Sequence, residues 1–203
     1  MFPSAGSPTK YSTMLLSDER GLLTGRSVRL RPVLDSDIDV LYTIACLGSV
    51  SSHWRYRGHI PHPEQFRADL FSDILVHYVS TPTQSSADVF GYLAASRYSP
   101  ADGVVHISAM FAPPAQRSIS SSHALVMFCN SVFAGWDIRK LLIEVPAFNL
   151  PSLNAGFHSG LLTEEGVLRQ HLFVGGEFHD VHLLCIWRAD WEPWFLKIRR
   201  TIF

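Results

Sequence analysis

Two sets of polar residues in the middle of the chain could do group-transfer chemistry. The serine-rich run from Gln116 to Ser122 follows a predicted strand and opens a predicted helix. Because the first amides of a helix lack intrahelical partners and the helix dipole is positive there, such a turn suits a phosphate. His106, Glu144 and Glu165 are titratable groups on or beside predicted strands, and each of them could exchange a proton with a bound group.

Each of these features also has an interpretation without a ligand. The serines could simply cap a helix, and a lone histidine on a strand is more often structural than catalytic. His171, His179 and His182 lie on one predicted hairpin, but His179 and His182 point to opposite faces of a strand. We therefore expect no metal site.

The elements that must position these residues follow from periodicity and turn signals. Val28 to Pro32 predicts an edge strand, and Asp35 or Ser36 caps a helix that runs to about Leu47. Further predicted elements are a helix over 63–75, an antiparallel meander of strands near 76–80, 89–98 and 104–111, a helix ending at Gly135, a strand over 141–145, and a hairpin of 166–174 and 179–188 joined by Gly175-Gly176.

The composition of the chain limits the classes of function that the protein could have. The chain has 203 residues, 47% of them hydrophobic and 17% charged, and a formal net charge of -1. This predicts a flexible segment over 1–20 and one domain over 21–203, with no basic surface for nucleic acid. The three cysteines, far apart in apolar stretches, predict reduced core residues. Neither a signal peptide nor a membrane span is evident, which favours a soluble, cytoplasmic protein.

The stretch 139–180 carries a resemblance to a known family. It holds a strand over Leu141 to Val145, Asn149 and Ser152 in an Asn-x-x-Ser step, Gly160-Leu161, and Glu165-Gly166 followed by Arg169. This order resembles the C-terminal half of the GCN5-related N-acetyltransferases (GNAT), in the branch that modifies ribosomal-protein amino termini. The runs 54–58 (WRYRG) and 139–151 are similar to actinobacterial GNAT-like proteins.

The resemblance implies an α/β (α+β) fold with a mixed, mostly antiparallel central sheet, splayed strands and flanking helices. It also implies transfer of an acetyl or other acyl group from acyl-CoA to a primary amine, directly within a ternary complex and without a metal. The acceptor would be a small molecule or a peptide. The splayed strands would be 104–111 and 141–145.

Site residues are implied in the same way. The pyrophosphate would lie on the turn Gln116, Arg117, Ser118, Ile119, Ser120 and Ser121, and a backbone N–H of Met110, Phe111 or Ala112 would polarise the thioester. Asn149 would contact the pantetheine arm, and Ser152 would protonate the leaving thiolate, unless both residues only cap the next helix. The base would be His106, Glu144 or Glu165. Trp54, Arg55, Tyr56 and Arg57 could recognise the acceptor, or Trp54 and Tyr56 could anchor the core.

The phosphate turn departs from the family pattern Q/R-x-x-G-x-G/A. Gln116 keeps the first slot and Ser121 is small, but Ile119 stands in a glycine slot, where a β-branched residue disfavours positive φ and adds bulk. Two alternatives follow. The donor thioester could sit on an acyl carrier protein's phosphopantetheine, or the protein could be a catalytically silent binding partner or scaffold.

Self-association is also expected. The terminal hairpin offers surface that one small domain could leave exposed, and so do the apolar residues Trp191, Trp194, Phe195 and Phe203 near the end of the chain. We expect a homodimer on this ground.

Overall fold

The computed structural model describes residues 22–116 and 118–203. The segment 1–20, expected to be flexible, and Arg117, expected at the phosphate turn, lie outside the described residues.

One mixed eight-stranded sheet forms the centre of the described structure. Its strands are β1 Leu23–Thr24, β2 Val28–Pro32, β3 Ile74–Pro82, β4 Gly91–Ser99, β5 Val104–Phe111, β6 Lys140–Pro146, β7 Thr163–Val174 and β8 Glu177–Trp187. Their order is β1-β2-β3-β4-β5-β6-β8-β7, and every neighbouring pair is antiparallel except β5 and β6. The predicted mixed, mostly antiparallel fold class is confirmed, including the meander of β3, β4 and β5.

Helices cover both faces of this sheet. They are α1 Ile38–Cys46, α2 Gly48–Ser51, α3 Pro63–Phe71, α4 Ile119–Gly135, α5 Asn154–His158 and α6 Arg188–Ile202. Apolar residues of α4 and α6 pack in one core with alternate residues of the central strands, such as Val105 and Ile107. Residues of α1, α2 and α3 pack in a second core on the opposite face, which includes Tyr92, Ala94 and Met110. Successive side chains of a strand point to opposite faces, so β4 and β5 supply both cores.

The C-terminal hairpin forms as the sequence predicts. Gly175 and Gly176 connect β7 to β8 with φ of 61° and 90°. Two successive positive φ values define the tight turn whose twist matches antiparallel strands, and glycine adopts them at little cost. This turn fixes the register that pairs Val174 with Glu177.

Several boundaries differ from the sequence prediction. The first helix begins as a 3₁₀ turn over Asp35–Asp37, and α3 ends at Phe71 because β3 already starts at Ile74. Val28–Pro32 is not an edge strand, since the two-residue β1 pairs with its outer side.

The apolar residues near the end of the chain are not the free surface that the sequence suggested. Trp191, Trp194 and Phe195 belong to α6, and Phe203 is its C-cap. Trp191 and Phe195 are buried against Phe133 and the rest of the core, whereas Trp194 and Phe203 are half-buried. The basis for expecting a homodimer was therefore wrong at these two residues, and the homodimer itself stays a prediction. No helix in the described part of the chain is long and apolar enough to cross a membrane.

A single glycine lets β4 lie tightly against its neighbours. A Cβ on Gly91 would come within 2.6 Å of Ser80 Oγ and closer still to the ring of Phe111, at the outer end of β5. We expect Gly91→Ala to lower the free energy of unfolding by about 1–3 kcal/mol, the usual cost of overpacking, measured by urea denaturation. Gly48→Ala is the control, because no atom lies within 4 Å of the position that its new methyl group would take. Equal stability of the two variants would contradict the prediction.

Candidate functional site

A wedge-shaped gap separates β5 from β6 over most of their length. The two strands pair only from Val104 to His106 on β5 and from Lys140 to Leu142 on β6. Beyond these residues β5 continues alongside β4 to Phe111, and β6 continues alongside β8 to Pro146. We call this gap the fork and the last paired residues its apex. At about 3.3 Å per residue, the β5 arm from His106 to Phe111 is about 16 Å long.

Backbone amides of β5 point into the fork. The amide of Ala112 donates to Phe90 O at 2.8 Å, so it faces β4 and is not free. Because N–H groups of successive strand residues point to opposite edges, the amides of Phe111 and Ala109 face the fork instead. Within the expected set of Met110, Phe111 and Ala112, only Phe111 can present its amide to a ligand there.

Gln116, the residue that fits the first slot of the phosphate turn, holds the end of this arm. Its Nε2 donates to Phe111 O at 3.2 Å, so the side chain folds back on β5. The side-chain amide group therefore stabilises the outer end of the arm, and it is not directed toward a phosphate.

The start of α4 lies at the outer end of the β5 arm and has free donors. Ser118 is the N-cap, and its Oγ accepts from the Ser121 amide at 3.1 Å. The amides of Ile119 and Ser120 donate to no acceptor among residues 22–116 and 118–203. Ser121 and Ser122 both donate their hydroxyls back to Ser118 O. The anion-binding capacity of this helix start therefore lies in its amides and dipole more than in its hydroxyls.

Ile119 does not distort the turn. It is the first residue of α4, it is absent from the residues with positive φ, and its side chain is 70% exposed. Ile119 therefore does not need the positive φ that a β-branched residue disfavours, because the helix starts at Ile119 itself. The side chain points to solvent while its amide stays at the helix start.

Asn149 and Ser152 lie together just beyond the β6 arm. Both are inside a 3₁₀ segment, Ala147–Leu153, and Ser152 Oγ donates to Asn149 O at 2.7 Å. The N-cap of α5 is Leu153, which makes no side-chain capping bond. Neither residue caps α5, so the capping interpretation of this pair does not hold.

Three charged or titratable side chains meet at the apex of the fork. Glu144 Oε1 lies 3.0 Å from Arg97 Nη2 and 3.4 Å from His106 Nδ1. His106 Nδ1 is buried and makes no aligned hydrogen bond to any described residue, so its contact with Glu144 is electrostatic. The structure thus brings two of the three candidate bases together and adds Arg97, which the sequence analysis missed.

Glu144 is held as a carboxylate in this cluster. The contact with His106, followed by the charge of Arg97, outweighs the opposing effect of burial and lowers the pKa of Glu144 from 4.5 to about 2. A group that is so weakly basic is a poor proton acceptor at neutral pH. Glu144 is therefore suited to orient or stabilise His106, which leaves His106 as the better base.

Glu165 lies away from this cluster. It is on β7, separated from β6 by β8, and its two oxygens accept from Lys140 Nζ at 2.6 and 2.7 Å. This pairing is the main cause of the lowered pKa of Glu165. The arrangement is a salt bridge that joins β6 to β7 across β8.

The aromatic segment before α3 anchors the second core. Trp54 is 8% exposed and packs edge-on against Tyr56 and Tyr92. Tyr56 donates to Asp69 Oδ2 at 2.9 Å, and Arg55 lies 4.7 Å above the Trp54 ring. The structure thus favours the core-anchoring interpretation of Trp54 and Tyr56, and leaves Arg57 exposed in a left-handed turn.

A stack of three rings connects the helical cover to the β6 side of the fork. Phe148, in the 3₁₀ segment, lies 5.3 Å from the ring of His53 and 5.0 Å from that of His179, edge-on in both cases. His53 belongs to the cover of β3–β5, whereas Phe148 follows β6, so their contact spans the two arms. The sequence offered no spacing signal for this stack.

Among the described residues, no three His, Cys, Asp or Glu side chains are placed to hold a metal ion.

Comparison with known proteins gives structural likeness without sequence matches. No protein-family model matches the sequence, and no curated protein matches it significantly. The structure is similar to a probable GNAT-family acetyltransferase from Chromobacterium violaceum, with a TM-score of 0.69 and 20% identity over 95% of this chain and 98% of that one. It is also similar to a GCN5-related N-acetyltransferase from Brucella melitensis (TM-score 0.68, 25% identity, 86% and 82% covered).

A third similar structure contains ligands. It is the spermidine N-acetyltransferase of Vibrio cholerae in complex with CoA and spermine, with a TM-score of 0.70 and 15% identity over 81% of this chain and 97% of that one. The eight-stranded sheet, its fork and the helix that starts at the fork's outer end are thus those of the GCN5-related N-acetyltransferase fold, which this chain adopts.

Proposed function

We propose that the protein transfers an acyl group, most simply acetyl, from acyl-CoA to a primary amine within a ternary complex. The observation that carries the proposal is the fork, an unpaired gap between two arms of one sheet with the free start of α4 at its outer end. Several proteins that share the fold are acetyltransferases, and one was solved with CoA. The ribosomal-protein branch enters the proposal only as one class of acceptor.

The donor would enter the fork from its outer end. Its pyrophosphate would accept from the amides of Ile119 and Ser120, and the extended pantetheine arm would run between β5 and β6 beside Asn149. The thioester oxygen would accept from the amide of Ala109 or Phe111, where negative charge develops during attack. No side chain is needed for that step.

The proton transfers would use His106 and Ser152. The amine nitrogen attacks the thioester carbon, a C–N bond forms, the C–S bond breaks, and His106 accepts the proton that the nitrogen loses. Ser152 would supply a proton to the departing thiolate after its hydroxyl turns away from Asn149 O. Ser152 would then regain a proton from water and His106 would release its proton to water, so that the net change is one proton moved from nitrogen to sulfur. Holding both substrates in one fork would supply much of the acceleration through proximity.

The carboxylate beside His106 is not free to bind an ammonium group. Glu144 is paired with Arg97 at 3.0 Å. A polyamine needs unpaired carboxylates for its additional ammonium groups. Although one similar structure is a spermidine acetyltransferase, this pairing favours an acceptor with a single amine. The rings of His53, Phe148 and His179 would contact an apolar or aromatic body attached to that amine.

The alternative of a carrier-protein donor rested on Ile119, and the exposed position of that side chain weakens it. The scaffold alternative predicts that no thioester binds. The titration with acetyl-CoA and acetyl-pantetheine described below distinguishes both alternatives from the main proposal.

Removing one amide at the start of α4 should weaken donor binding. Ile119→Pro deletes the N–H, yet proline is favoured at the first helical position, and Ser118 already has the extended φ of -80° and ψ of 161° that precede proline. We expect acetyl-CoA to bind about tenfold or more weakly to this variant, the loss of one hydrogen bond to a charged group. Isothermal titration calorimetry measures the change.

Ile119→Ala is the matched control, since it removes the side chain and keeps the amide, and acetyl-pantetheine is the matched ligand without the nucleotide. Equal affinity of both variants for acetyl-CoA would refute the phosphate site at α4. If wild-type protein binds neither acetyl-CoA nor acetyl-pantetheine, the acyl-CoA function fails, and an acyl carrier protein is the next donor to test.

The ring stack should make the protein prefer amines that carry an aromatic group. We expect tyramine to be acetylated with a higher kcat/KM than spermidine, and Phe148→Ala to raise the KM for tyramine about two- to tenfold, the usual worth of an aromatic contact. Phe173→Ala is the control, because Phe173 is also an exposed phenylalanine but contacts Phe178 at the hairpin tip. A preference for spermidine, or the same KM change in both variants, would contradict the acceptor assignment.

A further inference from the structure

We propose that Arg97 is a positioning residue that sets the protonation equilibrium of His106, by sharing one oxygen of Glu144 with it. This inference rests on the proposed function only for its catalytic meaning, that His106 is the base. The geometric relation itself, two cationic or potentially cationic groups on one carboxylate oxygen, exists whatever the reaction is.

The backbone places Arg97 in this position by an unusual conformation. Arg97 has φ of 51°, and the register between β4 and β5 shifts between Ser96 and Ser99. Its amide leaves the ladder and donates to Asp73 O at 3.2 Å. A non-glycine residue in the left-handed region costs free energy and persists only where its surroundings hold it. Here the bulge directs the guanidinium across β5 to Glu144 on β6.

The surroundings of His106 leave few other groups to control its charge. In register it lies between Ser96 of β4 and Leu142 of β6. Among the described residues, Glu144 of β6 contacts it directly and Arg97 of β4 contacts Glu144. The Lys140–Glu165 salt bridge lies on the same face of the sheet, and Lys140 is two residues from Leu142. Farther away, Asp73 lies at the loop before β3, and Cys185 on β8 is opposite Leu142, with a thiol pKa raised by burial to about 11, so that it is neutral.

The two partners act on His106 with opposite signs. The carboxylate of Glu144 stabilises the imidazolium, whereas the guanidinium of Arg97 compensates that carboxylate and repels the imidazolium. Removing one partner or the other should therefore shift the protonation equilibrium of His106 in opposite directions. His106 Nδ1 faces the carboxylate and Nε2 makes no hydrogen bond to a described residue, so Nε2 is the nitrogen that can accept the proton.

Two single substitutions separate these effects. In Arg97→Gln the carboxylate acts on His106 alone, so the pKa of His106 should rise. In Glu144→Gln the guanidinium acts alone, so the pKa of His106 should fall. Arg97→Lys keeps the charge at a partly exposed position and should leave the titration near that of the wild type.

The measurement is the NMR titration of the His106 ring in wild-type protein and the three variants, with kcat/KM for acetyl transfer recorded against pH in parallel. A change of one pKa unit corresponds to about a tenfold change in the ratio of neutral to protonated imidazole at fixed pH. We therefore expect the acid limb of the rate profile to move to higher pH in Arg97→Gln and to lower pH in Glu144→Gln. A merely structural role of Arg97 would lower the rate without moving the limb.

The ring titration decides the inference even if the protein transfers no acetyl group. Shifts of opposite sign in the two glutamine variants support it. Shifts of the same sign, or no shift in Arg97→Gln, overturn it. Opposite ring shifts with an unchanged rate profile would support the role of Arg97 and refute His106 as the base, so the two proposals fail separately.

Discussion

The three-residue pairing between β5 and β6 is the constraint on which the site depends. Backbone N–H and C=O groups that are buried without partners cost free energy, so sheets normally pair along their whole length. Here each arm keeps its hydrogen bonds on the outer side, β5 with β4 and β6 with β8, and gives them up on the inner side beyond the apex. The inner edges therefore present donors and acceptors to water or to a ligand that can replace the missing strand.

The arms stay apart because separate contacts hold each of them. The outer end of β5 is held by the packing of Gly91 against the Phe111 ring and by the hydrogen bond from Gln116. The β6 arm is held by pairing with the long β7–β8 hairpin. The two cores lie on opposite faces and share β4 and β5. Closing the fork would require β6 and β8 to move within the core in which Leu141 and Ile186 are packed, which close-packed interiors resist.

Much of the fold could be predicted from the sequence, because the signals were local. The pattern of apolar residues and turn signals predicted both ends of β5 correctly. Gly175-Gly176 predicted the hairpin, and Gly135 predicted the end of α4. The errors arose where tertiary contacts override a local pattern. Trp191 and Phe195 looked like excess apolar surface because nothing in their own segment shows that α4 offers them Phe133 to pack against.

The site was predicted less well than the fold, since its chemistry depends on long-range geometry. His106 and Glu144 are 38 positions apart in the sequence, and only the parallel register between β5 and β6 brings them together. Arg97 could not be found at all, because its direction depends on a bulge and a positive φ that an arginine in the sequence does not indicate. The Phe148 stack likewise joins three distant segments.

Ile119 shows why a side-chain motif and a physical binding site can differ. Glycines in a phosphate turn remove side chains so that a phosphate can approach the backbone, but the attraction comes from the unpaired amides and the dipole of the helix. At Ile119 the chain has already entered the helix and its side chain points to solvent, while its amide and that of Ser120 have no acceptor in the described part of the chain. Those electrostatic requirements are properties of the backbone, and a change of side chain that leaves the helix start in place does not remove them. Loss of the glycines therefore argues only weakly against a phosphate site, and the free amides are the better criterion.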